Sequence, residues 1–299
     1  MTTPPPASPT NPPAAFGDTT LGIVLRLGFY VFTVFLAIHY LMPLLYLVFG
    51  LQIAGTIGLA IAGLTANVLT LAIFDRRPLV DIGLRLVGAS GKHFLFGIGL
   101  GGGAAAAILI APLLLQQGHL MLRPHSEFTW PTLIFYLITI FFAAAGEEMI
   151  FRGYAFQIMV EKMGPFAAVL PVGVIFGLVH TSNPNASLLG ILNTILWGVL
   201  LGFAFLRSHD LWLPIGMHFG WNAILPLFGV NLSGLTIEVT RYFYKWDLPP
   251  LWSGGAYGPE GGLLTTAAGY MLFYLLFRAR IRPQQAMIAT CLNEPDFEV

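Results

Sequence analysis

The chain has 299 residues, of which 56% are hydrophobic and only 9% charged, where an ordinary soluble domain carries roughly a quarter charged residues. So few charges cannot dress the surface of a water-soluble fold. The 14 basic and 14 acidic side chains cancel, which argues against nucleic acid as a partner, and the single cysteine, Cys291, excludes an internal disulfide framework or a cysteine-built zinc cage.

Residues 1–20, with Pro4, Pro5, Pro6, Pro9, Pro12 and Pro13, lack the basic start and short apolar core of a secretory signal and read as a disordered tail. After them, apolar windows of about 20 residues, the length that crosses a bilayer, recur at roughly 27–50, 52–74, 94–115, 130–158, 166–183, 187–206, 211–229 and 261–278. They predict an all-α fold, a polytopic transmembrane helix bundle of about eight spans. One membrane domain would cover 21–282 with its core at 130–229, followed by a cytoplasmic tail over 283–299.

With the N-terminus inside, the inner segments hold Arg26, Arg76, Arg77, Arg85, Lys92, Lys162, Arg207, Arg278, Arg280 and Arg282, and the outer ones only Arg123, Arg241 and Lys245. The positive-inside rule therefore puts both termini in the cytoplasm. The segment from Asp75 to His93 mixes these cations with Leu79, Ile82, Leu84 and Leu86 and is expected to lie at the inner interface. The loop from Val230 to Gly262, rich in Trp, Tyr, Pro and Gly, suits the outer headgroup zone and would lie across the mouth of a cavity.

Three polar motifs interrupt the apolar spans. The fourth span carries Glu147, Glu148 and Arg152, each costing about 2.5–3.5 kcal/mol at the bilayer centre if left without a partner. Glu148 and Arg152 stand four apart with the acid first, so they share a face and can pair. Glu147 points about 100° away around the helix and lacks that partner. A purely structural ion pair is the competing account of this helix.

The fifth span ends in Phe176-Gly177-Leu178-Val179-His180, and Glu147 and His180 are equidistant from the break at Met163-Gly164-Pro165. A hairpin there would set both at similar depth. The seventh span carries His218 and Asn222 at i and i+4, on one face, both able to donate hydrogen bonds. Taken singly, either histidine could be a helix-packing group.

The three motifs in this order resemble the signature of the CAAX prenyl protease and bacteriocin-processing family, also called CPBP or ABI: two glutamates with an arginine four after the second, then Phe-x-x-x-His, then His-x-x-x-Asn. Weaker similarity extends from Asp81-Ile82-Gly83-Leu84 through Gly198, Gly202 and Leu211-Trp212-Leu213-Pro214. The resemblance implies an intramembrane endopeptidase in which Glu147 and His180 activate water, His218 and Asn222 hold the oxyanion, and Glu148 and Arg152 position them. It implies no cofactor and no metal. A zinc site of Glu147, His180 and His218 is the second mechanistic choice.

The partners so implied are membrane lipid and a peptide or membrane-associated protein substrate, prenylated in eukaryotic relatives and often not in prokaryotic ones. The expected location is a prokaryotic plasma membrane. A non-catalytic scaffold, immunity factor or transporter using the same polar residues is the alternative from another class. Cys291 stands too far from Val299 for the chain itself to end in a CaaX box.

Overall fold

The computed structural model describes residues 19–124 and 127–284. The Pro-rich segment up to residue 18, Cys291 and most of the tail expected at 283–299 lie outside the described residues. What is described is mostly helical, and five helical stretches are long and apolar enough to cross a membrane.

The first stretch, Thr20–Asp75, contains 56 residues, about 84 Å of helix against roughly 30 Å of hydrocarbon. It joins α1 (Thr20–Leu36), whose cap is the Thr19 hydroxyl accepting the Gly22 N–H at 3.1 Å, to α2 (Met42–Thr70) through a wider turn. Gly50 breaks it with φ 79°, a conformation that favours glycine. The stretch thus accounts for two of the expected spans, and the count of about eight stands as an approximation.

The next elements are α3 (Gly88–Leu114), α4 (Trp130–Arg152), α5 (Tyr154–Met163), α6 (Pro165–Val179), α7 (Leu188–Ser208) and α8 (Trp212–Leu227). A short α9 (Pro250–Ser253) precedes α10 (Leu263–Arg278). Many large apolar side chains on the outer faces, among them Leu47, Phe166, Leu188 and Phe277, are exposed, as a lipid-facing surface requires.

The span expected at 130–158 ends earlier, at Arg152, and α5 turns away after Gly153. The cause is Asn67 on α2, whose Oδ1 accepts the Tyr154 N–H at 2.8 Å while its amide donates to the carbonyls of Gly63 and Met149 at 2.7 and 3.0 Å. This side chain takes over backbone groups that the helix would otherwise have bonded within itself. A further element with no counterpart in the expected spans is a two-stranded antiparallel sheet of β1 (Gly118–Leu122) and β2 (Tyr242–Trp246), with Gly118 opposite Trp246. The Tyr244 hydroxyl ties it to α3 by donating to the Leu109 carbonyl at 2.7 Å.

The main helix pairings are α3 with α8, α2 with α4 and α6 with α7, so each motif-bearing helix is seated on a partner. Small residues set these distances. Gly97 and Gly102 of α3 face Gly216 and Gly220 of α8, and a Cβ on Gly220 would stand 2.7 Å from the Ile98 carbonyl oxygen. On α4, a Cβ on Gly146 would meet the Ala60 nitrogen of α2 at 2.5 Å. Gly146 immediately precedes Glu147, so its contact with α2 fixes where the two carboxylates project.

Candidate active site

Glu148 and Arg152 are fully buried, and Arg152 Nη1 lies 3.0 Å from Glu148 Oε1. The other end of the guanidinium, Nη2, donates to the Gly198 carbonyl at 2.7 Å. That carbonyl is available because α7 approaches α6 closely there: a Cβ on Gly198 would stand 2.8 Å from the Cα of Gly173. The guanidinium also sits over the Phe176 ring, 4.9 Å from its centroid, a cation–π contact in a desolvated place.

The same Glu148 oxygen reaches α8. His218 Nδ1 lies 2.9 Å from Glu148 Oε1, and its Nε2 lies 3.9 Å from Glu147 Oε2. An ionised carboxylate only accepts, so Nδ1 donates and the free edge of the ring, Nε2, is turned toward Glu147. At 3.9 Å the second contact is too long for a direct hydrogen bond. Glu147 Oε2 is buried and makes no hydrogen bond with the described residues; a buried acceptor of this kind is a place for water.

His180 enters through Phe176. Its Nδ1 donates to the Phe176 carbonyl at 2.7 Å, which leaves Nε2 with a lone pair facing away from the helix. The Phe176 ring lies 4.9 Å from the His180 ring and 6.0 Å from that of His218. One phenylalanine therefore touches Arg152, His180 and His218, which explains why a bulky aromatic stands four residues before the histidine. Asn222 follows His218 by one turn of α8, and its backbone carbonyl accepts the buried Tyr136 hydroxyl of α4 at 2.5 Å.

Sequence reasoning missed one acid. Glu260, in a turn of the loop before α10, accepts the Trp221 Nε1–H at 3.2 Å on Oε1. Its Oε2 accepts the Ser233 backbone N–H and the Ser233 hydroxyl, the latter at 2.9 Å. Burial pushes its carboxyl above the ordinary range, opposed by the hydrogen bonds from Ser233 and Trp221 and by His180 nearby. The only available signal was an acid set in a Gly-Pro-Glu-Gly-Gly run of a chain with few acids.

The buried carboxylate–guanidinium–imidazole cluster joins α4, α6 and α8. Residues 129–224 match the family described as type II CAAX prenyl endopeptidase, Rce1-like. This Rce1-like segment runs from the cap of α4 into α8 and contains Glu147, Glu148, Arg152, His180, His218 and Asn222. It marks the chain as similar to CAAX-type membrane proteases that act on a peptide or protein at the membrane. No curated protein matches the chain. Glu260 and the β1–β2 sheet lie outside the Rce1-like segment. Among the described residues, no three His, Cys, Asp or Glu side chains converge as a metal ligand set.

Proposed function

We propose that the protein is an intramembrane endopeptidase that hydrolyses a peptide bond near the membrane, with Glu147 as general base. The observation that carries this is the division of labour between adjacent glutamates: each has a buried Oε2 without a hydrogen bond, but Glu148 Oε1 is held by both Arg152 and His218, while Glu147 has only His218 Nε2 at 3.9 Å. A carboxylate so placed can hold and deprotonate a water.

In the proposed reaction the water oxygen bonds to the scissile carbonyl carbon as its proton passes to Glu147. His180 Nε2 receives or returns the second proton, and the C–N bond breaks as the leaving amine is protonated. His218 and Asn222 supply the donors for the tetrahedral oxyanion, a contribution of a few kcal/mol in comparable sites. For His218 to donate from Nε2 while Nδ1 donates to Glu148, the ring must carry both protons. Its positive charge then faces two carboxylates and one guanidinium, so the cluster as a whole is neutral. Glu148 and Arg152 are positioning residues.

The proposed setting is a prokaryotic plasma membrane with both termini cytoplasmic, which the distribution of arginine and lysine supports. The test is cleavage of a quenched peptide library, prenylated and unprenylated, by the full chain in detergent, wild type beside Glu147→Gln, with and without a zinc chelator. Chelator-resistant cleavage lost in the variant is expected. Chelator-sensitive cleavage would replace the glutamate mechanism by zinc, and cleavage by neither protein would point to a scaffold.

A further inference from the structure

Glu260 belongs to none of the three motifs, yet it is held more tightly than any exposed loop residue needs to be. Its turn is fastened to α7 by Asn193, whose amide donates to the carbonyls of Glu260 and Gly262 at 2.8 and 2.9 Å. Asn193 Oδ1 in turn accepts the Thr266 hydroxyl of α10 at 2.7 Å. The side chain then spans to α8 at Trp221, the residue immediately before Asn222 in the chain, and Trp221 packs on Trp197 of α7 at 4.5 Å between centroids.

All three partners of the carboxylate are donors: two from Ser233 and one from Trp221. The ionised group accepts from all three at once, whereas on protonation the carboxyl becomes a donor and only the Ser233 hydroxyl among these partners can turn to accept from it. The titratable groups within Coulombic range are His180 at the end of α6, Tyr136 of α4 and Tyr257 of the same loop.

We propose that Glu260 is a further positioning residue of the active site, whose ionised carboxylate fastens the loop before α10 to α8 at Trp221 and so fixes Asn222 and the loop wall beside His180. The inference rests on the proteolytic function proposed above. It makes the loop over 230–262 part of the active site although this loop lies outside the Rce1-like segment. Activity then rises with pH as Glu260 ionises. Burial of Glu260 places that rise above the ordinary carboxylate range.

The experiment is the pH profile of kcat and KM for the full chain in detergent, comparing wild type, Glu260→Gln, Ser233→Ala and Glu147→Gln. In Glu260→Gln, kcat is expected to fall about tenfold with KM within about twofold, and the acid limb to lose the step that ionisation of Glu260 adds. Ser233→Ala removes one donor to the ionised form and should move the upper part of the acid limb toward alkaline pH by about half a unit. This variant keeps the carboxylate and serves if Glu260→Gln does not fold. An acid limb of wild-type slope and position in the variants that fold would overturn the proposal, even if activity fell, because a purely structural latch leaves the profile alone. Wild-type-like cleavage by Glu147→Gln would instead remove the proteolytic mechanism and this inference with it.

Discussion

His218 Nδ1 lies 2.9 Å from Glu148 Oε1, the same oxygen that holds Arg152 at 3.0 Å. One carboxylate oxygen thus orients the imidazole of His218 on α8 and neutralises a guanidinium on its own helix. Replacing Glu148 by Ala would leave Arg152 buried without its anion, a change that typically costs about 3–5 kcal/mol. The expected outcome is a protein with a clearly lowered thermal midpoint in detergent. Glu148→Gln, which keeps the shape but not the charge, should fold better and still lose roughly 100-fold in kcat, because His218 is no longer held as a donor. Retention of full activity by Glu148→Gln in a cleavage assay would refute the positioning role.

Asn222 can be separated from that network. Its backbone is anchored by the Tyr136 hydroxyl, so shortening the side chain to Ala should leave α8 in place. If the carboxamide donates only to the oxyanion, kcat should fall by about 10²–10³ while KM changes little. A rise in KM at constant kcat would instead make Asn222 a ground-state binding group.

The helix contacts that bring the motifs together are equally open to test. At Gly146 an added Cβ would meet the Ala60 nitrogen at 2.5 Å, and backbone cannot yield as a side chain can. Gly146→Ala is expected to cost at least about 1–3 kcal/mol and to displace Glu147 with it, so thermal stability and cleavage should fall together. The control is Gly103→Ala on α3, where a Cβ meets nothing within 4 Å; it should behave as wild type in both measurements.

The pairing of Glu148 with Arg152 was legible because it is local: four residues on one helix share a face whatever the tertiary structure does. The contact of His218 with Glu148 was not, because it depends on the register between α8 and α4. The place of α8 is set in turn by α3, where Gly97 and Gly102 meet Gly216 and Gly220, and glycines in an apolar run announce close packing without naming the partner. The break after Arg152 hung on Asn67, a single amide in another helix. Glu260 lay in a loop with no periodicity, where only the fold could show that an acid turns inward. The β1–β2 pairing joins segments on either side of the whole Rce1-like segment, a separation that local patterns do not report.

The direction in which burial moves Glu260 also fixes how stability varies with pH. Its folded carboxyl is raised above the usual value of 4.5, so the native state holds its proton to higher pH than the unfolded chain does. The associated stability is fully present below the unfolded value and is lost as pH rises through the raised folded one. The thermal midpoint in detergent of wild type should therefore decline from about pH 4.5 upward toward neutrality, relative to Glu260→Gln, which has no proton to lose. Cleavage is expected to increase over the same interval as the ionised carboxylate secures Trp221, so the protein gains activity where it gives up stability. Parallel slopes of midpoint against pH for the two proteins would show that Glu260 does not titrate in this window, and would remove the physical basis for its share of the acid limb.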